Sequence, residues 1–298
     1  MGIREIFLGL AFALIWSSAF TSAKIAMNDA PPFLFLSVRF LISGIIALLI
    51  ARLFFEKQLL KRSDWAIIIV FGICQNTIYL GLNFVAMKWI EASHAAIIAS
   101  FLPLIVATLS WVFLNERINL LGCLGLILGL FGILLVMSNK LTSNFDVIGT
   151  WFCIFGVIAL AIATIVVRNS AKENTLSIIG FQMLIGSFTL FPISLFFETW
   201  EINLTYSLFW AFTYTTLFPG LFATMIWFKL LHLVGPIKAA SFHFLNPFFG
   251  VLIAYWLLNE GLSLKQVIGV ITVMIAIIIL QKSRVAVRQN SNNQDWKH

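Results

Sequence analysis

Charge is scarce in this chain of 298 residues: Asp, Glu, Lys and Arg make up 10% of it, while 61% is hydrophobic. A soluble domain carries about 25% charged residues, so the water-facing surface of a globule this size could not be built from it. Membrane is the ordinary class that remains. Thirty phenylalanines and ten tryptophans fit lipid-facing and interfacial positions. Cysteine is scarce as well. Cys74, Cys123 and Cys153 lie inside apolar runs at unrelated spacings, which gives neither a disulfide framework nor a metal site. They read as small packing residues. No P-loop is present, and His94, His232, His243 and His298 form no cluster with acids. No catalytic group, metal or cofactor is therefore expected. The net charge of +7 does not point to nucleic acid, because no soluble basic domain exists to carry such a site.

What the chain has in abundance is long apolar runs. A span needs about 20 such residues to cross a hydrocarbon core of about 30 Å, and lipid cannot satisfy exposed backbone, so helix is expected. Ten stretches qualify: 6–27, 33–55, 65–87, 92–114, 118–138, 148–168, 176–197, 207–229, 237–258 and 264–281. The first has Arg4 ahead of it like a signal peptide, but Thr21-Ser22-Ala23 is a poor cleavage site. The tail over 282–298 is polar and is expected to be a disordered cytoplasmic segment. With ten spans, fourteen Lys and Arg fall on the side of the termini and four on the other, Arg39 lying within a span. That bias places both termini in the cytoplasm; the expected location is a plasma membrane, the inner membrane of a bacterium.

A shift of 144 residues superposes the two halves of the sequence. Ala95-Ala96 meets Ala239-Ala240, Pro103 meets Pro247, Asn115-Glu116 meets Asn259-Glu260, Gly125 meets Gly269, and Lys24 meets Arg168. Proline and an Asn-Glu pair are rare near spans, so chance among apolar segments does not account for them. Because each copy holds five spans, an odd number, the second must enter the membrane upside down. The fold class is thus all-α and polytopic: ten transmembrane helices in two inverted five-helix repeats, 6–138 and 148–281. Such repeats underlie carriers whose ligand sits at mid-membrane between the copies.

These features resemble the EamA branch of the drug/metabolite transporter superfamily. The resemblance rests on Ala92 to Pro103 with Leu114-Asn-Glu-Arg117, on Gly235 to Ala240 through Asn246-Pro247 to Leu258-Asn-Glu260, and on Trp16, Pro32 and Arg39. It covers residues 6 to 281 and implies a cavity lined by spans 1, 3, 4, 6, 8 and 9. It also implies export or exchange of amino acids and related metabolites. A carrier of nucleotide-like or S-adenosyl compounds is the alternative, and a lipid-modifying membrane enzyme or a passive channel fits less well.

Charges inside a span are functional candidates by default. Arg39 is the one Lys or Arg well inside a predicted span. It could clamp a substrate carboxylate or phosphate, or it could snorkel outward or bond backbone carbonyls and pin the second span; the structural reading is preferred. The spans hold no acid at mid-depth, which disfavours proton-for-cation exchange through a membrane carboxylate. His243 is the better proton group if one exists, although a buried neutral histidine is the blander reading. Asn76, Tyr79 and Asn83 share a helical face in span 3, near Gln75, and either line the cavity or glue helices. Trp16 and Ser17 in span 1, Tyr214 and Trp227 in span 8, and His243 with Asn246 in span 9 complete the candidate cavity wall. Pro103 and Pro247 each remove a helix hydrogen bond and are candidate hinges, freeing carbonyls at Ala99 and His243. Glu116 and Glu260 read as braces of short turns. Gly122, Gly125, Gly129 and Gly132 form a stripe for close helix contact, inside the repeat or at a homodimer interface. The expected partners are a small-molecule substrate and the lipid bilayer.

Overall fold

The computed structural model describes residues 2–55, 60–137, 146–168, 170, 174–250, 252 and 264–287. Nine of the ten predicted spans appear as helices close to where the apolar runs put them, and the predicted ninth, 237–258, is described only over 237–250 and 252: α1 Ile3–Ala26, α2 Pro32–Leu53, α3 Arg62–Ala86, α4 Ala92–Ala99, α5 Leu102–Leu114, α6 Leu120–Met137, α7 Val147–Val167, α8 Thr175–Phe197, α9 Tyr206–Val234, α10 Pro236–Ala240 and α11 Leu264–Lys282. Among the described residues, eight helical stretches are long and apolar enough to cross a membrane, and the shorter Leu120–Val136 is equally apolar. Large apolar side chains such as Phe7, Leu49, Trp111, Phe131, Trp151 and Phe188 stand exposed around the outside. In water such a surface would be an aggregation liability; against lipid it is the natural outer coat.

Proline and asparagine punctuate the helices as their chemistry requires. Pro103 has no N–H to give, and the fourth span is broken at Ser100 and Phe101 between α4 and α5. The ninth span breaks in the same region of its own sequence: α10 tightens into a 3₁₀ turn over Ser241–Leu245 before helix resumes over 246–250. There the Asn246 N–H donates to the His243 carbonyl, so that carbonyl is not free as the proline alone implied. α5 ends on Asn115 in the left-handed region, φ 52°, which Asn tolerates better than most residues. The α2 N-terminus is held by α8, because Phe33 and Leu34 N–H both donate to the Glu198 carboxylate. A carboxylate here also meets the positive end of the helix dipole.

Two helix pairs dominate the packing. On α2 and α8, Ser37 donates to the Ser187 carbonyl, and Gly44 and Gly180 approach each other's backbone carbonyls. On α6 and α11, Gly125 lies against Ala276 and Leu280, while Gly269 lies against Gly132 and Val136. In both pairs rising numbers on one helix meet falling numbers on the other, so the helices run antiparallel. The glycine stripe of α6 is filled by α11 and by the Phe244 ring, within this chain.

Two segments depart from expectation. Glu116–Ile118 and Val285–Val287 form an antiparallel pair, β1 and β2, with Glu116 opposite Val287. The start of the supposedly disordered tail is thus ordered by pairing with the joint after α5; residues 288–298 lie outside the described residues. Glu116 is 5% exposed and accepts a salt bridge of 2.5 Å from Arg168 at the end of α7, so it braces more than its own turn. Asn259 and Glu260 lie outside the described residues. Ile6 and Lys282 line one crevice, which puts the start of α1 and the end of α11 on the same face, called here the terminal face.

Candidate functional site

The middle of the molecule is organised by two irregular windings. Gly72–Leu80 within α3 and Thr216–Ala223 within α9 are π-helical, and residue 216 follows residue 72 by the repeat offset of 144. The wider π turn changes which residues share a line along the helix. On α3 the pairs Gln75–Asn76, Tyr79–Leu80 and Asn83–Phe84, then Met87, recur every four residues and all face one cavity. A regular period of 3.6 already places Gln75, Tyr79 and Asn83, at i, i+4 and i+8, on the same broad face as Asn76. On α9, Pro219 lies inside the π stretch, where the loosened hydrogen bonding accommodates its missing N–H.

Four further elements close the cavity. Trp16 and Ala23 come from α1, Arg39 and Phe40 from α2, Met183 from α8, and Pro219, Gly220 and Thr224 from α9. The expected lining by spans 4, 6 and 9 is not what this arrangement shows; spans 2 and 7 take part instead. The empty space between the lining atoms is about 510 Å³, yet only about 30 Å³ of it admits the centre of a water. That is room for about two waters, so a metabolite enters only when the surrounding helices part. Gln75, Pro219, Gly220 and Thr224 are lining residues outside the predicted set.

The polar side chains here do two jobs. Asn76 donates to the Gln182 backbone carbonyl at 3.0 Å and to the Gln182 side-chain oxygen, tying α3 to α8 while it faces the cavity. Asn83 donates to the Tyr79 carbonyl at 2.8 Å, one turn back on its own helix. Lining and gluing, posed as alternatives, are both realised. The Gln75 side-chain oxygen is buried with no hydrogen-bond partner.

Arg39 is 3% exposed, so it does not snorkel to the surface. Its Nε has no hydrogen-bond partner. Among the described residues no carboxylate pairs with Arg39. Its guanidinium lies over the adjacent Phe40 ring, 5.1 Å away, a contact worth about 0.5–2 kcal/mol.

The other predicted residues gather next to the cavity, toward the terminal face. Phe12, one turn before Trp16, stacks on Trp227 at 4.8 Å, and the His243 ring meets Phe12, Trp16 and Trp227 edge-on at 5.2, 5.8 and 5.3 Å. His243 Nδ1 pairs with the Asn246 amide nitrogen at 3.0 Å, and Ser17 donates to the Asn246 carbonyl at 2.8 Å. These contacts join α1, α9 and the ninth span into an aromatic plug. Trp16 belongs to both groups, since it also stacks on Tyr79 at 6.3 Å. The Trp227 indole N–H and the Asn246 side-chain oxygen are buried without partners. Tyr214 does not reach the cavity; its hydroxyl bonds Ser18 between α9 and α1. Among the described residues no three His, Cys, Asp or Glu side chains are placed to hold a metal ion.

Comparison with known proteins gives a consistent answer. The sequence model of the EamA-like transporter family matches residues 3–138 and again 147–281. An uncharacterized transporter YvbV of Bacillus subtilis is 24% identical over 274 residues, 91% of this chain and 90% of that protein. Protein PecM of Dickeya dadantii is 24% identical over 278 residues, covering 90% and 89%, and a chloroplastic WAT1-related protein of Arabidopsis thaliana is 26% identical over 278 residues, covering 89% and 66%. A crystal structure superposes with a TM-score of 0.76 over 94% of this chain and 96% of that one at 18% identity, which shows the fold. Two family matches, one to each half, and a coat of apolar helices agree: this chain is a multi-pass membrane protein and belongs to the EamA-like transporter family.

Proposed function

We propose that the protein is a secondary carrier of small organic metabolites, working by alternating access between two inverted five-helix halves. The observation that carries this reading is the central cavity. It sets Arg39, Gln75, Asn76 and Asn83 among largely apolar walls, is contributed by helices of both halves, and is too small for a solute until those helices separate. A fixed pore would be open, and an enzyme would present a catalytic cluster.

The inversion is supported by the α6–α11 crossing. Gly125 faces positions 276 and 280, Gly269 faces positions 132 and 136, and each number in one set is 144 from its counterpart in the other. Interchangeable roles of this kind belong to two-fold-related surfaces. Equivalent helices that run antiparallel fit copies of opposite orientation, and counting the ninth span gives ten in all. The excess of cations on the terminal face supports cytoplasmic termini. On that orientation the aromatic plug closes the cytoplasmic side, and the cavity, which runs from Trp16 to Ala23 and Met87, points outward.

Amino acids and related metabolites are the proposed substrates, by export or exchange. The test is counterflow in proteoliposomes with a panel of amino acids, organic acids, nucleosides and S-adenosyl compounds, with and without a pH gradient. Saturable exchange of one solute is the expected result. Exchange of none, with turnover of the lipid instead, would sink the proposal.

A further inference from the structure

An isolated cation deep among membrane helices is expensive, and such groups ordinarily pair with an acid or with backbone carbonyls. Arg39 is buried, faces the central cavity, leaves its Nε unpartnered and has no acid within reach among the described residues. The remaining polar groups of the lining are amides and hydroxyls: Gln75, Asn76, Tyr79, Asn83 and Thr224. The cavity therefore carries a single positive charge that nothing in the described chain neutralises. The guanidinium lies beside Gly220 of α9, where a Cβ would stand 3.9 Å from the Arg39 Nε, at ordinary contact distance.

We infer that Arg39 is the anion-binding group of this cavity and that the transported solute is a small organic carboxylate whose negative charge it receives. The planar guanidinium offers parallel donors that match two carboxylate oxygens. One cationic charge matches one carboxylate, whereas a phosphate monoester, at about −1.5 to −2, would stay under-neutralised. The unpartnered oxygen of Gln75 is an acceptor suited to an N–H or O–H elsewhere on the same solute. Trp16 and Tyr79, stacked on each other, give the solute's apolar part an aromatic wall. Organic cations are disfavoured by the same charge.

This assignment rests on the carrier reading above, and its test separates the two. Full-length protein in liposomes is assayed for counterflow with L-leucine, L-threonine, pyruvate and 3-phenylpropionate, each paired with its primary amide, and with adenosine and uridine. At least one acid is expected to exchange, with its amide at least about tenfold weaker. Arg39→Gln is expected to raise the KM for that acid about ten- to a hundredfold and not to weaken exchange of the amide. Arg39→Lys should fall between them, since it keeps the charge without the fork. If amides or nucleosides are preferred, or if Arg39→Gln handles the acid as well as the wild type, the assignment is overturned and the carrier reading stands. If no probe exchanges, both fall. The acid-against-amide comparison uses only the wild type, so it decides the solute class even if both variants elute as aggregates.

Discussion

Substituting alanine for glycine along the α6–α11 crossing should produce a graded loss of stability whose order is set by distance. A Cβ at residue 269 would stand 2.7 Å from the Val136 nitrogen and 2.8 Å from the Gly132 oxygen. Ordinary contact begins at 3.4 Å, so the two helices must part by the difference, 0.7 Å at the nearer atom. Both obstacles are backbone and cannot rotate away. A radial gap of about 0.5–1 Å forfeits a quarter to a half of each dispersion contact, and overpacking a tight site typically costs about 1–3 kcal/mol. Gly132→Ala meets a Val273 methyl at 2.7 Å, which can turn, and then backbone at 2.9 Å, so it should cost less. Gly125→Ala meets Leu280 and Ala276 backbone at 3.1 and 3.2 Å and should cost less again. Gly81→Ala meets only side-chain atoms at 3.4 Å and should be neutral or slightly stabilising, because helical alanine is favoured over glycine by about 1 kcal/mol. Melting of each variant in detergent, followed by size-exclusion chromatography after heating, gives the order directly. With about 2–4 °C per kcal/mol, Gly269→Ala should melt about 2–12 °C lower. Equal melting of Gly269→Ala and Gly81→Ala would refute the argument.

Glu116→Gln removes the partner of Arg168 across β1 and α7. With the guanidinium one-third exposed, solvent screens part of the loss, and a destabilisation of about 1–2 kcal/mol is expected, read as a lower melting temperature that Arg168→Gln should not deepen. Asn76→Leu breaks the bonds to Gln182 and strands that buried side chain, which should cost about 1–2 kcal/mol and also raise the KM of any solute carried. A Cβ at Gly9 would overlap the Phe242 ring, so Gly9→Ala should force α1 from the ninth span at the terminal face. A membrane-impermeant thiol reagent applied from that face should then label a cysteine placed at Phe12 faster than in the parent protein. Unchanged labelling would mean that this contact does not hold the plug shut.

Much of this architecture is legible in the residues because lipid leaves few choices. A run such as 148–168 has one stable form in hydrocarbon, and α7 occupies Val147–Val167. Pro103 announces the break before α5. The π windings are another matter: nothing in Gly72-Ile-Cys-Gln-Asn distinguishes an i→i+5 turn from an α turn. Three-residue strands such as Val285–Val287 are too short to show an alternating pattern. Arg39 marks the sharpest limit. Its place in a span is plain from the sequence, but whether a partner answers it depends on residues distant in the chain. The sequence reading preferred a structural role, and the fold leaves the guanidinium facing a cavity with no acid among the described residues.

The crossing of α6 with α11 also bears on how the molecule is made. α6 ends at Met137 and α11 begins at Leu264, so during synthesis the glycine groove of α6 is in the bilayer long before its filler is. Over the same interval β1 waits with an unpaired edge for β2. Contacts so distant along the chain form late, because a long loop must close before they stabilise anything. The nascent protein therefore passes through a stage with a small-residue groove and a strand edge both open to whatever helix or chain is nearby. A chain halted before Leu264 would be held at that stage, and a second copy offering its own α6 is a ready substitute for the missing helix.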